Sequence, residues 1–288
     1  MLFLALSILC SVCILTTFKL AERFKIRSID IIVINYFIAV AGGLIINSAR
    51  LKNYSFTNEH WLIPAFIIGI LFILNFYVMS LTTKRSGMTV TAISARISVV
   101  IPVLFSLFFY HENISILKIA GIIISIFAIT LCIAKKNESG KKLKFVYLPV
   151  ILFLMSGITD TCIKYTQARF LSDQNLTLFS VALFGIAAIT GLLIYLFTGY
   201  KIRDLVKPMN LLFGIVLGLS NLGSMLFFIK TLNQANFDSS VIFSVNHLSV
   251  ITLSVLTGLI AFREKLSLIN WIGVFMAFTG IFVLYYSK

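Results

Sequence analysis

Acidic side chains are scarce in this chain. Its 288 residues include 10 Asp and Glu against 24 Lys and Arg, and all charged residues together make up 12%. A soluble domain carries about 25% charged residues, so a water-facing surface of ordinary size is excluded. With so few acids, nearly all of them between apolar runs, no carboxylate pair remains for an active site inside those runs. The 4 cysteines, Cys10, Cys13, Cys132 and Cys162, all fall within apolar stretches. Cys10 and Cys13 form a CxxC with no soluble βαβ context around it, so it reads as two helix-borne thiols, with no metal or redox role. Also missing are G-x-S-x-G, HExxH, an aspartate-rich pair and a phosphate-binding glycine loop. Neither an enzyme nor a cofactor is expected.

Apolar length is what the chain has in excess. Hydrophobic residues reach 59%, and mean hydropathy is +1.03. Ten stretches are each long enough to cross roughly 30 Å of hydrocarbon: 2–20, 29–48, 61–82, 88–110, 115–134, 146–166, 177–198, 210–232, 239–261 and 268–286. The fold class is therefore all-α integral membrane, multi-pass, with the cell (inner) membrane as the expected location. The first run lacks a basic lead and a cleavage site and reads as a retained helix. Trp61 and Trp271 stand at span ends, where indoles favour the interface. The net charge of +14 is spread over short connections, the pattern of membrane-protein loops rather than of nucleic-acid binding.

The chain repeats itself. Glu112 and Glu264, Ser115 and Ser267, Gly121 and Gly273, and Ile129 and Ile281 are each 152 residues apart. The basic linker at 138–144 separates 1–137 from 145–288, five spans each. Five is odd, so two homologous halves must cross in opposite senses, as in inverted-repeat transporters with a site near the midplane. Each glutamate is expected to start and anchor the helix that follows it or to serve as a gate or proton site, and Gly121-xxx-Ser125 and Gly273-xxx-Ala277 to let spans five and ten pack closely.

Lys19, Glu112 and Gly121 in the first half, and Lys164, Glu264 and Trp271-Ile272-Gly273 in the second, resemble the drug/metabolite transporter superfamily, EamA type. The resemblance covers essentially the whole chain. It implies ten helices in two inverted EamA-like repeats and a central cavity lined by helices three, four, eight and nine.

Polar residues inside spans are the site candidates. Arg96 in span four can hold a carboxylate or phosphate through two parallel bonds, or cap a neighbouring helix. Asn75, Tyr77, Asn221, Ser224 and Asn246 are cavity candidates, each equally able to tie helices together. Ser156, Asp160 and Lys164 follow at i,i+4 steps in span six. There Asp160 can pair with Lys164, reach Arg96, or couple protons. His247 is a candidate proton carrier, or a histidine bonded to a neighbour.

The expected function is a secondary transporter, an exporter or exchanger, of a small polar organic metabolite such as an amino acid. The partners are that small-molecule substrate, the lipid bilayer and protons as the candidate coupling ion. The alternatives are export of a hydrophobic drug or lipid-linked compound, and a non-transporting scaffold or sensor. Connections 1–2, 3–4, 5–6, 7–8 and 9–10 hold 15 Lys and Arg and the others 4. The positive-inside bias therefore puts both termini outside, whereas the resemblance implies cytoplasmic termini.

Overall fold

The computed structural model of the chain describes residues 2–46, 48, 60–109, 115–133, 147–171, 175–234 and 239–286. Their α-helices are α1 (Leu2–Arg23), α2 (Ser28–Ile46), α3 (Leu62–Ser86), α4 (Met88–Ile97), α5 (Val100–Phe109), α6 (Ile116–Ile133), α7 (Tyr147–Phe170), α8 (Leu176–Phe197), α9 (Pro208–Gln234), α10 (Ser239–Ile260) and α11 (Leu268–Tyr286). Since α4 and α5 are two parts of one crossing, these make the ten expected crossings. Eight are long and apolar enough to span a membrane, and α6 and α10 contain the shorter apolar stretches Ile119–Cys132 and Val245–Ile260.

The fourth crossing breaks at Ser98 and Val99 for a local reason. Pro102 has no N–H to offer the Ser98 carbonyl four residues back. That carbonyl instead takes the Ile101 N–H at 2.9 Å, in a tighter three-residue turn. Ser98 Oγ donates to the Ala95 carbonyl at 2.7 Å. The break follows directly on the turn that carries Arg96.

The main packing pairs recur when the two halves are exchanged. α1 packs on α9 and α10, and α7 packs on α3 and the α4–α5 crossing. α2 packs on α8 and α9, and α8 packs on α2 and α3. α6 and α11 pair with each other in antiparallel register. A Cβ on Gly121 would lie 2.8 Å from Leu284, and one on Gly273 would lie 2.7 Å from Cys132. Moving each member of the first pair by the 152-residue offset yields the second pair. The small residues of the two expected motifs thus do let these helices approach closely, through backbone-to-backbone contact that a larger residue would prevent.

The connections rich in Lys and Arg share a face. Lys84 Nζ donates to the Ile26 carbonyl at 2.9 Å. Arg27 pairs with Asp204 at 2.6 Å and with Asp30 at 3.1 Å, and its guanidinium lies 4.2 Å from the Tyr200 ring centre. Asn210 Nδ2 joins this group by donating to Asp30 at 2.8 Å. Connections 1–2, 3–4 and 7–8 therefore meet at one end of the bundle, called here the basic face.

Two expectations fail. Trp61 is not an interfacial anchor: it is fully buried and packs edge-on against Phe179 of α8, centroids 5.9 Å apart. Glu264 does not cap its own helix. Ser267 and Asn270 start α11 by bonding each other reciprocally: Asn270 N–H donates to Ser267 Oγ at 3.3 Å and Ser267 N–H to Asn270 Oδ1 at 3.1 Å. This is a capping box with Asn as its third helical residue. Glu112 lies outside the described residues.

Candidate functional site

The site is built on α4, α7 and α10, which pack together in the middle of the bundle through α4's contacts with both others. Arg96 stands eight residues into α4, about 12 Å from the basic face at 1.5 Å per residue. Asp160 lies 13 residues into α7, and His247 lies 13 residues before the end of α10. Each is therefore roughly 20 Å from the same face. The Arg96 charge acts on both Asp160 and His247. Three of the sequence candidates, on three helices and in both halves, thus share one neighbourhood.

Helix geometry shows what surrounds them. The apolar stripe that α7 turns outward runs through Tyr147, Ile151, Leu154 and Ile158, all exposed. Asp160 is two residues past Ile158, about 200° further round the helix, so it points inward. It is nevertheless exposed, as are Lys164 and Gln167 one and two turns further on. Exposure on the inward face requires an internal cavity. The exposed polar track of α7 leads from Asp160 toward the end of the helix opposite the basic face.

Toward the basic face the cavity closes. Thr89, Ala92 and Ile93 precede Arg96 at seven, four and three residues and so lie on its side of α4. All three are buried. Ala92 lies in one buried cluster with Val250 of α10 and Leu15 of α1, and Ile93 in another with Ile251 and Val255 of α10. These residues form an apolar plug beneath Arg96.

The polar atoms around the cavity are partly unpaired. Asn246 is buried, with Nδ2 lacking a partner, and His247 Nδ1 is likewise buried and unbonded. Asn75 Oδ1 accepts from Ser156 Oγ at 3.0 Å, tying α3 to α7 one turn from Asp160. Arg96, carried by α4 against α7, is a cation within electrostatic reach of Asp160 from another helix.

Other candidates stand apart from this neighbourhood. Asn221 is buried, and its amide faces that of Asn35 on α2 at 3.2 Å. Ser224 Oγ donates to the Asn221 carbonyl at 2.8 Å, and the Ser224 carbonyl accepts from Ser7 Oγ at 2.8 Å. Asn221 thus meets α2 through its side chain, while the Ser224 hydroxyl bonds within α9 and only its backbone carbonyl meets α1. Tyr77 shares an exposed stripe of α3 with Ile63, Phe66 and Leu74, on the side away from Asn75.

The partner of Glu264 lies far from it in sequence. Its carboxylate accepts from the Met88 N–H at 2.6 Å, the Thr89 N–H at 3.2 Å and Thr89 Oγ1 at 3.0 Å. It therefore caps α4, in the other half of the chain, where free N–H groups and the helix dipole favour an anion. The only early signal was that residue 87 is glycine, directly before a helical run. Among the described residues no group of three or more His, Cys, Asp or Glu is placed to hold a metal ion.

The comparisons agree with this architecture. A Haemophilus influenzae protein described as uncharacterized is 28% identical over 289 residues, covering 98% of this chain and 97% of its own. A solved crystal structure is similar in fold, with a TM-score of 0.63 at 15% identity, over 98% of this chain and 95% of that one. Residues 1–134 match the EamA-like transporter family. Residues 1–134 thus form an EamA-like transporter region, and the crossings make the chain a multi-pass membrane protein.

Proposed function

We propose that the protein is a secondary transporter, exporter or exchanger, of a small polar organic metabolite of the amino-acid kind, working by alternating access between halves 1–137 and 145–288 about the 138–144 linker. The family is one of transporters, not of enzymes. The feature that supports the finer reading is that Arg96, Asp160 and His247 stand on three helices of which α4 packs on both others, with the inward side of α7 exposed at Asp160 and the residues of α4 below Arg96 buried. Ionisable groups at membrane depth are costly, and a cavity that gathers both signs suits a solute with charged or polar ends.

In this reading Arg96 receives an anionic group and Asp160 a cationic or hydrogen-bond-donating one. Asn246 supplies an unpaired amide, and Asn75 fixes α7 through Ser156. Asn221 and Ser224 hold the walls, while Tyr77 faces outward. Protons are the coupling ion, carried by His247 or Asp160, and Lys164 lies on the exposed track toward the open side. Purified protein in liposomes, challenged with a metabolite panel under counterflow, tests this. Counterflow of a polar solute that Arg96→Ala abolishes supports it. Counterflow of hydrophobic drugs alone would favour the drug-export alternative, and no counterflow of any solute a scaffold. His247→Gln compared with the natural protein over about pH 5–8 tests the histidine's part, because its ordinary titration falls there.

A further inference from the structure

Glu264 belongs to the connection between α10 and α11, yet it is bonded to the first residues of α4. The surroundings are shaped for that contact. Gly87 has φ +94°, and a Cβ there would sit 2.8 Å from Glu264 Oε1. A Cβ on Gly258 would sit 2.7 Å from Oε2. Only glycine leaves space at both positions, and only glycine adopts the first backbone readily. Glu264 N–H donates to the Gly258 carbonyl at 2.9 Å, closing the turn that presents the carboxylate. Arg263, next to it, has φ +52°, a left-handed backbone that a non-glycine residue keeps only when its surroundings enforce it.

The segment held in this way is separable. α4 has its own beginning at the Glu264 carboxylate and its own end at the Ser98–Val99 break, and it carries both the apolar plug and Arg96. Release of its N-terminus would let it move against α10 without unwinding α5.

We propose that Glu264 is a positioning residue for transport: its carboxylate latches α4 to the α10–α11 connection and keeps the pathway beneath Arg96 closed at the basic face. Opening that face requires the Glu264 bonds to Met88 and Thr89 to break while α4 moves as a unit. The purpose of the latch rests on the transport reading, but its test needs no substrate.

The test uses the full chain with Cys10, Cys13, Cys132 and Cys162 replaced, purified so that both faces meet a water-soluble thiol reagent. Ala92→Cys reports on the plug, and Gln167→Cys on the open track. With Glu264 intact, the first is expected to react slowly and the second fast. Glu264→Gln should speed reaction at position 92 by about tenfold, the change that loss of one charge-assisted bond produces. It should also slow reaction at position 167, because opening one side closes the other. Thr89→Val removes one of the three donors and should move both rates in the same directions by less, which keeps the test sound if Glu264→Gln folds poorly. An unchanged rate at 92 in both variants overturns the latch. Acceleration at both probes overturns it too, for that is general loosening. Opposed shifts together with no counterflow of any solute would leave the latch standing and remove the transport reading.

Discussion

Arg27 donates to Asp204 at 2.6 Å across 177 residues of chain, joining the connections that precede α2 and α9. Lys207 holds the other Asp204 oxygen at 2.8 Å. The Lys207 and Arg27 charges and hydrogen bonds hold the Asp204 carboxyl below its ordinary range. A carboxylate with a lowered value stabilises the folded state above its unfolded value, and that contribution is lost as pH falls through the lowered one. Asp204→Asn should therefore lower the unfolding temperature at pH 7. The gap to the natural protein should persist down to about pH 4, the ordinary carboxylate value, and close below it. Thermal unfolding of both proteins in detergent across this range measures it. A gap that closes between pH 8 and 6 would contradict the assignment.

The α6–α11 contact makes a prediction with its own control. A Cβ at Gly273 would lie 2.8 Å from the Cys132 backbone nitrogen and 3.1 Å from the Ala128 carbonyl oxygen, neither of which can swing aside. Gly185 in α8 has nothing within 4 Å. Gly273→Ala should cost about 1–3 kcal/mol as overpacking. Gly185→Ala should be neutral or gain a few tenths up to about 1 kcal/mol, from alanine's better helix propensity. Denaturant or thermal unfolding in matched detergent distinguishes them, and equal effects at the two sites would count against the register described here.

Arg96 and Asp160 should be energetically coupled. Removing either alone strands the other's charge at membrane depth, whereas removing both strands none. A double-mutant cycle of Arg96→Gln and Asp160→Asn should give a coupling of about 0.5–3 kcal/mol, larger than the same cycle between Asp160 and Lys164. If the Asp160–Lys164 coupling proves the larger, the ion pair within α7 is the correct one. In transport, Arg96→Lys should recover little of what Arg96→Ala loses, because an ammonium lacks the planar two-pronged geometry.

These cases show what the sequence made legible. Crossings followed from apolar length, and the α6–α11 contact from Gly121 and Gly273 at matched offsets, since such signals lie along the chain itself. The neighbourhood of Arg96 and Asp160 was legible as one alternative of two, and His247 only as a separate costly residue. Spacing made Lys164 a partner candidate for Asp160 because i,i+4 neighbours are the contacts a single helix reveals, and it could not choose between Lys164 and Arg96. Glu264 illustrates the same limit: a carboxylate before a helix reads as that helix's cap, and nothing local says that Ser267 and Asn270 already fill the role. Asn221 and Ser224 stood in sequence with two readings each, because a polar residue at mid-span looks the same whether it faces solute or another helix. Trp61 stands at the end of an apolar run, but only the fold shows Phe179 lying against it.

Orientation is the last expectation, and the structure sharpens it. Arg27 with Asp204, Lys84 with Ile26, and Glu264 with Met88 bring connections 1–2, 3–4, 7–8 and 9–10 to one face. The Lys and Arg counted along the sequence are thus gathered in space over most of that set. Short basic connections are retained on the cytoplasmic side, so this face should be cytoplasmic and both termini outside, opposite to what the family resemblance implies. Inverted halves make the choice nearly free for the fold, because turning the bundle over presents much the same frame to each side. Loop charge is then left to decide it. Arg203 is exposed in the 7–8 connection. Arg203→Cys, with the four native cysteines replaced, should resist a membrane-impermeant thiol reagent in intact cells and react once the membrane is permeabilised. Gln167→Cys, on the track toward the other face, should label in intact cells. The reverse pattern would place the basic face outside and show that loop charge does not set this protein's orientation.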